Sequence, residues 1–196
     1  MILPIVAYGD PVLRKECKDI PKTYPNLEAL LENMYETMYG ASGVGLAAPQ
    51  IGLPIRVFLV DASPFADKDQ MDAQELAQVE GFKKTFINAT ILEEQGEEFA
   101  FNEGCLSIPD VREDVYRKPD ITIEYYDENF TKHTQKFSGI IARIIQHEYD
   151  HIEGILFTDK LSSLKKRILK GRLTNISKGK ATADYRMRFP NAKKKR

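Results

Sequence analysis

The sequence has little cysteine, little histidine and no long apolar run. Two cysteines, Cys17 and Cys105, are too few for a disulfide framework in 196 residues, which favours a reducing compartment. No stretch approaches the roughly 20 apolar residues of a membrane span, so we expect no membrane association. The start, MILPIVAYGD, lacks the basic region and the long apolar stretch of a secretory signal. These absences predict a cytoplasmic protein.

The overall composition is ordinary for a globular protein, but the charge is unevenly distributed. Hydrophobic residues make up 42% of the chain and charged residues 29%. Residues 165–196 carry 13 Lys and Arg and one acid, whereas the first 164 residues carry 15 basic and 28 acidic side chains. Such a block is either a solvated tail or a contact surface for a polyanion such as RNA. We predict one domain over residues 1–173 and a basic, loosely ordered and flexible C-terminal extension over 174–196.

Helix-like and strand-like segments alternate in an order that predicts an α+β fold. Apolar residues with helical spacing predict helices over 26–39 and 138–154. Further elements are expected as strands over 55–61, 84–94 and 97–101, a hairpin over 121–137 turning at 127–129, a helix over 161–173 and a polar surface excursion over 62–82. Hairpin-type strands favour mixed or antiparallel sheets, packed around a central helix, over a doubly wound α/β fold.

The predicted helix 138–154 carries two of the three histidines. His147 and His151 lie one turn apart on one face and continue an apolar stripe, so we expect both to be buried. Two buried imidazoles need partners, which are either ordinary hydrogen bonds or one shared metal ion. The pattern H-E-x-x-H favours the metal, with Glu148 beside it to transfer protons. A solvated glutamate is the alternative for Glu148.

A third protein ligand has to come from elsewhere in the chain. The longer metalloprotease motif places a histidine at position 157, but this residue is Phe157, and no histidine follows His151. Upstream, His133 lies in a polar strand and is expected to be exposed. Cys105 follows Gly104, in a segment where Pro109 is expected to break the strand. Its thiolate with two imidazoles would leave a tetrahedral ion one open position. The residues favour Cys105, although a cysteine that only packs is the common case.

Three segments of the sequence resemble the signature motifs of peptide deformylases, in the same order: GVGLAAPQ (43–50), EGCLS (103–107) and QHEYDH (146–151). The resemblance spans roughly residues 5–165. It implies a metal-dependent hydrolase that removes the N-formyl group from the N-terminal formyl-methionine of nascent polypeptides. It also implies one divalent ion, ferrous iron (Fe²⁺) in the cell, with zinc, nickel or cobalt able to take its place.

The resemblance assigns roles to individual residues. The metal ligands would be Cys105, His147 and His151, and Glu148 the general acid and base. The side-chain amide of Gln50 and the backbone N–H of Leu106 would stabilise the oxyanion. Substrate-binding residues implied in the same way are Gly43, Val44, Gly45, Glu103, Gly104, Arg112, Ile140, Arg143 and Ile144. Within this set Arg112 is expected to pair with Glu103, and the apolar members could equally be plain core.

The remaining alternatives concern function and partners. A general metallopeptidase is disfavoured because Phe157 replaces a ligand, and a metal-stabilised RNA-binding module has no need of Glu148. Docking on ribosomal RNA through the basic C-terminal segment is one interpretation of that segment, and solvation is the other. We expect a monomer without DNA as a partner.

Overall fold

The computed structural model describes residues 1–192, so the last four residues of the predicted basic extension lie outside the described part. The helices are α1 Leu27–Gly40, α2 Ala73–Glu80, α3 Gly139–Ile152 and α4 Ser163–Ser177. The strands are β1 Ile5–Val6, β2 Gly45–Ala47, β3 Val57–Asp61, β4 Lys83–Gln95, β5 Phe99–Cys105, β6 Ile108–Arg117, β7 Asp120–Tyr126, β8 Lys132–Ser138 and β9 Met187–Arg188. Short 3₁₀ helices cover Pro11–Arg14, Ala48–Ile51, Ser63–Phe65 and Phe157–Lys160.

A five-stranded antiparallel sheet forms the main layer of the fold. Its strand order is β2-β3-β4-β7-β8. Strand β3 is buried along its whole length, which explains why VFLVD shows no polar alternation. Strands β7 and β8 instead alternate between buried and exposed positions, and they form the hairpin expected over 121–137.

Helix α3 packs against this sheet and is central to the molecule. Ile141, Ile145 and Ile152 on the helix share an apolar cluster with Phe58 and Phe86 of the sheet. The helix contacts β2 and β3, the edge of the sheet nearest the glycine-rich segment. The predicted α+β class with antiparallel sheets is confirmed.

A separate hairpin of β5 and β6 carries the cysteine segment. The strand expected over 97–101 continues to Cys105 and pairs with β6, not with the neighbouring strand β4. Pro109 was expected to break regular structure, yet it is buried as the second residue of β6. A proline can be accommodated there because the start of a strand in a two-stranded sheet leaves room for a residue without a donor N–H.

The C-terminal segment packs on the rest of the molecule as far as the structure describes it. Helix α4 runs across position 173, and its buried residues Leu169, Leu173 and Ile176 join an apolar cluster with Met187 and Phe189. Strand β9 then pairs in parallel with β1 at the opposite end of the sequence. Residues 174–192 were expected to be loosely ordered, but they pack on the protein. Their alternating apolar residues contact the apolar cluster that contains Leu169 and Leu173. The division at residue 173 stays a prediction.

The segment between β3 and β4 is partly helical. The polar excursion over 62–82 contains helix α2, whose first turn is capped by Asp72. Among residues 1–192, none of the helices is both long and apolar enough to cross a membrane.

Candidate metal centre

Three side chains from two elements meet beside the main sheet. Cys105 stands at the end of β5, and His147 and His151 stand one turn apart on α3. One ligand atom from each residue lies within 4.8 Å of the other two. Cys105 Sγ is 3.2 Å from His151 Nε2. The third residue proposed from the sequence is thus brought to the two histidines by the tertiary structure.

The ring of His147 is held so that its free nitrogen faces the cysteine. His147 Nδ1 donates to Glu103 Oε2 at 2.9 Å, which leaves Nε2 for another partner. The ring of His147 also stacks on Phe157, at 6.1 Å between centroids. The position that would hold a ligand in the longer metalloprotease motif therefore supports the first histidine by packing. His133, the other candidate, hydrogen bonds to Asp127 on the β7–β8 hairpin and is not part of the cluster.

Glu103 is the centre of a buried ionic network behind His147. Its carboxylate accepts two hydrogen bonds from Arg117, at 2.7 and 3.0 Å, and one from Arg143 at 3.2 Å. Arg117 also donates to Asp150 of α3 at 2.7 Å. The network joins β5, β6 and α3 through residues that are all less than one tenth exposed. A buried carboxylate with this many donors holds the imidazole in one orientation.

The expected pairing of Arg112 with Glu103 is wrong. Arg112 instead donates to the side chain and the carbonyl of Asn102, and it is exposed. Alternation along β6 explains the difference, because Val115 and Arg117 face inwards on this strand whereas Asp114 and Tyr116 face outwards. The buried guanidinium at the end of β6, Arg117, takes the place expected for Arg112.

The network shifts the pKa values of the two histidines in opposite directions. Burial by itself raises the pKa of Glu103, but hydrogen bonds from His147 and Arg117 hold it well below its usual range. Burial lowers the pKa of His147, yet its hydrogen bonds with Cys105 and Glu103 raise it well above the ordinary value. Burial and the nearby charge of His147 lower the pKa of His151, which favours the neutral imidazole that a metal requires.

Glu148 lies against the glycine-rich segment. It is 4% exposed, and its Oε2 atom has no hydrogen-bond partner among the described residues. Burial raises the pKa of this carboxyl to about 7. A Cβ atom at Gly45 would collide with the carboxylate, so only glycine lets strand β2 pass this close. The solvated alternative for Glu148 is therefore excluded.

Gln50 is buried and points its amide towards the cysteine. Its Oε1 atom accepts from the backbone N–H of Ala47 at 2.8 Å, which fixes the amide orientation. Its Nε2 atom lies 3.6 Å from Cys105 Sγ and 3.5 Å from Ser107 Oγ. The side chain is 1% exposed, so this amide is a preorganised donor at the site and not a loop side chain in solvent.

A cavity of about 640 Å³ opens beside these residues. Most of the residues implied by the resemblance line it: Gly43, Val44, Gly45, Gln50, Glu103, Gly104, Cys105, Leu106, Arg112, Arg143, Ile144, His147 and Glu148. Of the predicted pocket residues, Ile140 is not among the described residues that line the cavity, because it packs against the main core one turn earlier on α3. Arg143 lines the cavity but is buried, with its guanidinium committed to Glu103 and two backbone carbonyls.

The donor set fits a single divalent ion. One thiolate and two imidazole nitrogens are ligands that zinc, iron, cobalt and nickel accept. Cys105 Sγ and His151 Nε2 are already near the separation of about 3.5 Å that two ligands of one tetrahedral ion adopt. Glu148 Oε2 is a buried atom without a protein partner in the described part of the chain, as expected beside a group that supplies charge and water.

Sequence reasoning missed three residues at this site. Arg117 anchors Glu103, Ser107 lies beside the Gln50 amide, and the Tyr185 hydroxyl donates to the carbonyl of Leu106 at 2.8 Å. The strand period could have indicated Arg117, because it is a charged residue at an inward position of β6. Tyr185 had no local signal, since its contact spans 79 residues of sequence.

A helix bearing two histidines and an intervening glutamate, joined by a cysteine at an open cavity, defines the class of metal-dependent hydrolases. Comparison with known proteins narrows this class. The family model described as polypeptide deformylase matches residues 2–167. The chain belongs to the polypeptide deformylase family.

Individual relatives agree with the family model. The peptide deformylase of Christiangramia forsetii is 67% identical over 196 residues, which is 100% of both chains. That of Flavobacterium psychrophilum is 67% identical and covers 96% of this chain and 97% of its own. The solved peptide deformylase of Thermus thermophilus superposes with a TM-score of 0.76 at 35% identity, covering 90% of this chain and 98% of its own. The protein is an enzyme, a metal-dependent hydrolase that removes the N-formyl group from nascent polypeptides.

Proposed function

We propose that Cys105, His147 and His151 hold the metal of this deformylase and that Glu148 transfers the proton. The observation that carries the proposal is the meeting of three ligand atoms within 4.8 Å beside a buried, unpartnered glutamate oxygen. When bound, the ion supplies Lewis-acid chemistry, polarising the formyl carbonyl and a water molecule. We propose ferrous iron as the metal in the cell, and zinc, nickel or cobalt as ions that the purified protein would also accept.

Glu148 is placed to act first as base and then as acid. As base, its carboxylate takes a proton from the water that attacks the formyl carbon. The same proton then goes to the nitrogen of the methionine, which leaves as a free amine while formate is released. A carboxyl whose pKa is raised to about 7 by burial is suited to both steps near neutral pH.

Gln50 and Leu106 are proposed to stabilise the negative charge that develops on the formyl oxygen. Gln50 Nε2 is aimed into the site because its amide oxygen is held by Ala47. The N–H of Leu106 comes from the residue next to Cys105, at the turn between β5 and β6. Donors fixed before the reaction stabilise an oxyanion without reorganisation, and removing one typically costs roughly 10²–10³ in rate.

The cavity next to these groups is proposed to hold the methionine side chain and the first peptide units. Val44 and Ile144 are apolar residues of its lining, whereas Ile140 would act only through packing. Gly43 and Gly45 line the cavity and are proposed to meet the peptide through their backbone, and their missing side chains leave room for Leu106 and Glu148 respectively. Arg143 and Gly104 are proposed to shape the wall, and Arg112 to line the mouth.

A substrate comparison tests the function directly. The anaerobically purified enzyme should release formate from formyl-Met-Ala-Ser and leave both acetyl-Met-Ala-Ser and unblocked Met-Ala-Ser intact. Metal content measured on the same sample should be one ion per chain, with iron the most active form. Cleavage of the peptide bonds of unblocked peptides would support a general metallopeptidase and contradict the proposal.

The cellular setting follows from the substrate. We propose a cytoplasmic enzyme acting on formyl-Met nascent chains, monomeric and without DNA as a partner. The basic surface of α4 and the residues after it is proposed to contact ribosomal RNA, on the strength of the 13 basic residues in 165–196.

A further inference from the structure

One wall of the cavity comes from the C-terminal segment. Residues 182–185 line the cavity together with the motif residues, although they lie beyond the stretch 2–167 that matches the family model. Exposure alternates along 181–189, with odd-numbered residues turned inwards and the even-numbered ones 182–188 exposed. The segment bends at Asp184 and Tyr185 and becomes a strand at β9, so it lies along the body of the protein with alternate residues turned inwards.

The segment is held by contacts within the wall and directly after it. After it, β9 pairs with β1, and the N–H groups of Ile5 and Ala7 donate to the carbonyls of Arg186 and Arg188 at 2.9 Å each. Within it, the Tyr185 hydroxyl donates to the carbonyl of Leu106 at 2.8 Å. Burial raises the pKa of Tyr185, so the hydroxyl keeps its proton and remains a donor across the working pH range.

Leu106 is the residue that links this wall to the reacting groups. It follows Cys105 directly, and a Cβ atom built on Gly43 would lie 2.8 Å from its Cδ1 atom. The next carbonyl, that of Ser107, accepts from the N–H of Tyr8 at 2.8 Å. The Cys105–Ser107 turn is therefore held by hydrogen bonds from both ends of the chain. A small rotation at this turn would move the Leu106 N–H relative to the formyl oxygen.

We propose that Tyr185 is a positioning residue for Leu106 and that residues 182–184 form a substrate-contacting wall for the peptide beyond the methionine. The proposal rests on the proposed function of Leu106 as an oxyanion donor. Two carboxylates of the lining, Asp110 and Asp184, are exposed and have no ion pair among the described residues. Arg112, which also lines the cavity, donates to the neutral Asn102 and keeps its positive charge, so the two carboxylates outnumber it by one. The wall therefore favours peptides with a basic residue after the formyl-methionine over those with an acidic one.

A hydroxyl deletion tests the positioning role. Tyr185→Phe keeps the ring and its packing but removes the donor to Leu106, and we expect kcat to fall about three- to tenfold with KM within about twofold. The matched control is Tyr116→Phe, because Tyr116 is 62% exposed on β6 and lies outside the cavity lining. Both variants should unfold within a few degrees of the wild type. An unchanged kcat in Tyr185→Phe, or a loss confined to KM, overturns the positioning role.

A charge reversal tests the wall. Asp184→Lys should lower the ratio of kcat/KM for formyl-Met-Lys-Ser to that for formyl-Met-Glu-Ser by about three- to fivefold, as expected for one partly screened charge. Glu128→Lys, in the exposed β7–β8 turn, carries the same change of net charge and should leave the ratio unaltered. Binding of the unformylated product Met-Lys-Ser, measured by calorimetry, should weaken in Asp184→Lys only. An equal ratio in the wild type and Asp184→Lys overturns the proposal that residues 182–184 contact the peptide beyond the methionine.

These outcomes separate the proposal from the function on which it rests. If the wild type deformylates no formyl-Met peptide, the proposed function itself fails. If the wild type is active while Tyr185→Phe and Asp184→Lys match it in kcat and in substrate ratio, only the C-terminal wall is overturned.

Discussion

At the scale of single residues, Glu148 combines burial with a missing partner. Its Oε2 atom finds no donor among residues 1–192, and the carboxyl is within reach of Gly45 and the cavity. A stable protein tolerates such an atom where the group has a catalytic role. The site therefore leaves one buried carboxylate oxygen without a partner from the described part of the chain.

Replacing this carboxyl should separate metal binding from catalysis. Glu148→Gln keeps the shape of the side chain but cannot take a proton, so we expect kcat to fall by about 10²–10⁴. Metal content, measured by atomic emission on the purified variant, should stay at the wild-type level because Glu148 is not one of the proposed ligands. Near-normal turnover in a fully metal-loaded Glu148→Gln would refute the acid–base role.

Cys105 should behave in the opposite way. Cys105→Ala removes one of the three proposed protein ligands, and we expect metal affinity to fall by at least about tenfold. Competition with a chelator measures the affinity without any assay of turnover. The control is Cys17→Ala, since Cys17 is buried in the main core and lies outside the Cys-His-His cluster. Equal affinities in the two variants would remove Cys105 from the ligand set.

At the scale of elements, Arg117 is the contact that fastens strand β6 to β5 and α3. It pairs with Glu103 on one side and Asp150 on the other, and all three side chains are buried. The orientation of the His147 ring thus depends on a residue of a third element. Breaking a buried ion network leaves the remaining charges without compensation, which costs more than losing the bridge itself.

Arg117→Met should therefore destabilise the fold and loosen the site together. We expect the free energy of unfolding to fall by about 3–5 kcal/mol, because Glu103 and Asp150 remain buried and both lose the guanidinium that they share. Urea denaturation measures the change, and chelator competition should show weaker metal binding. Lys132→Met, which breaks the exposed pair with Glu124, serves as the control and should change neither quantity appreciably. Wild-type stability in Arg117→Met would mean that the network contributes nothing to the fold.

Elements with a clear period were the ones that the sequence predicted well. Helix α3 and the β7–β8 hairpin lie close to their expected positions because apolar spacing and turn residues are local signals. Strand β6 was missed because Pro109 suggested a break, and the pairing of β5 was unknown because partners are chosen by tertiary packing. The Arg112 assignment failed for the same reason, since the alternation of an unrecognised strand decides which arginine faces inwards.

At the scale of the whole molecule, the basic C-terminal part has two roles: it exposes a charged surface, and it packs on the rest of the protein. Helix α4 exposes most of its basic side chains and buries Leu169, Leu173 and Ile176, while the residues beyond it pack on β1 and the cavity. A deletion from Lys178 onwards would therefore remove apolar contacts and Tyr185 along with the charge. Point substitutions on the helix surface are the sharper test of RNA binding.

Removing charge from that surface should weaken binding to ribosomes without affecting chemistry. For the triple variant Arg167→Ala, Lys170→Ala and Lys178→Ala, we expect the salt dependence of log K for ribosome binding to decrease by about two to three. Turnover of formyl-Met-Ala-Ser should stay at the wild-type level. The control removes three exposed lysines elsewhere, Lys15, Lys22 and Lys68. Equal salt slopes in both triple variants would support a solvated segment instead.

The sequence by itself determined the family, the candidate metal ligands and the candidate glutamate for proton transfer. It could do so because three short motifs each carry their chemistry in residues that are neighbours along the chain or one helical turn apart. The tertiary structure alone decided that Arg117 rather than Arg112 fastens Glu103, that Ile140 lies outside the cavity lining, and that residues 182–185 form one of its walls. Those contacts join strands and segments up to 79 residues apart, and only the packing of the folded chain determines which of them form.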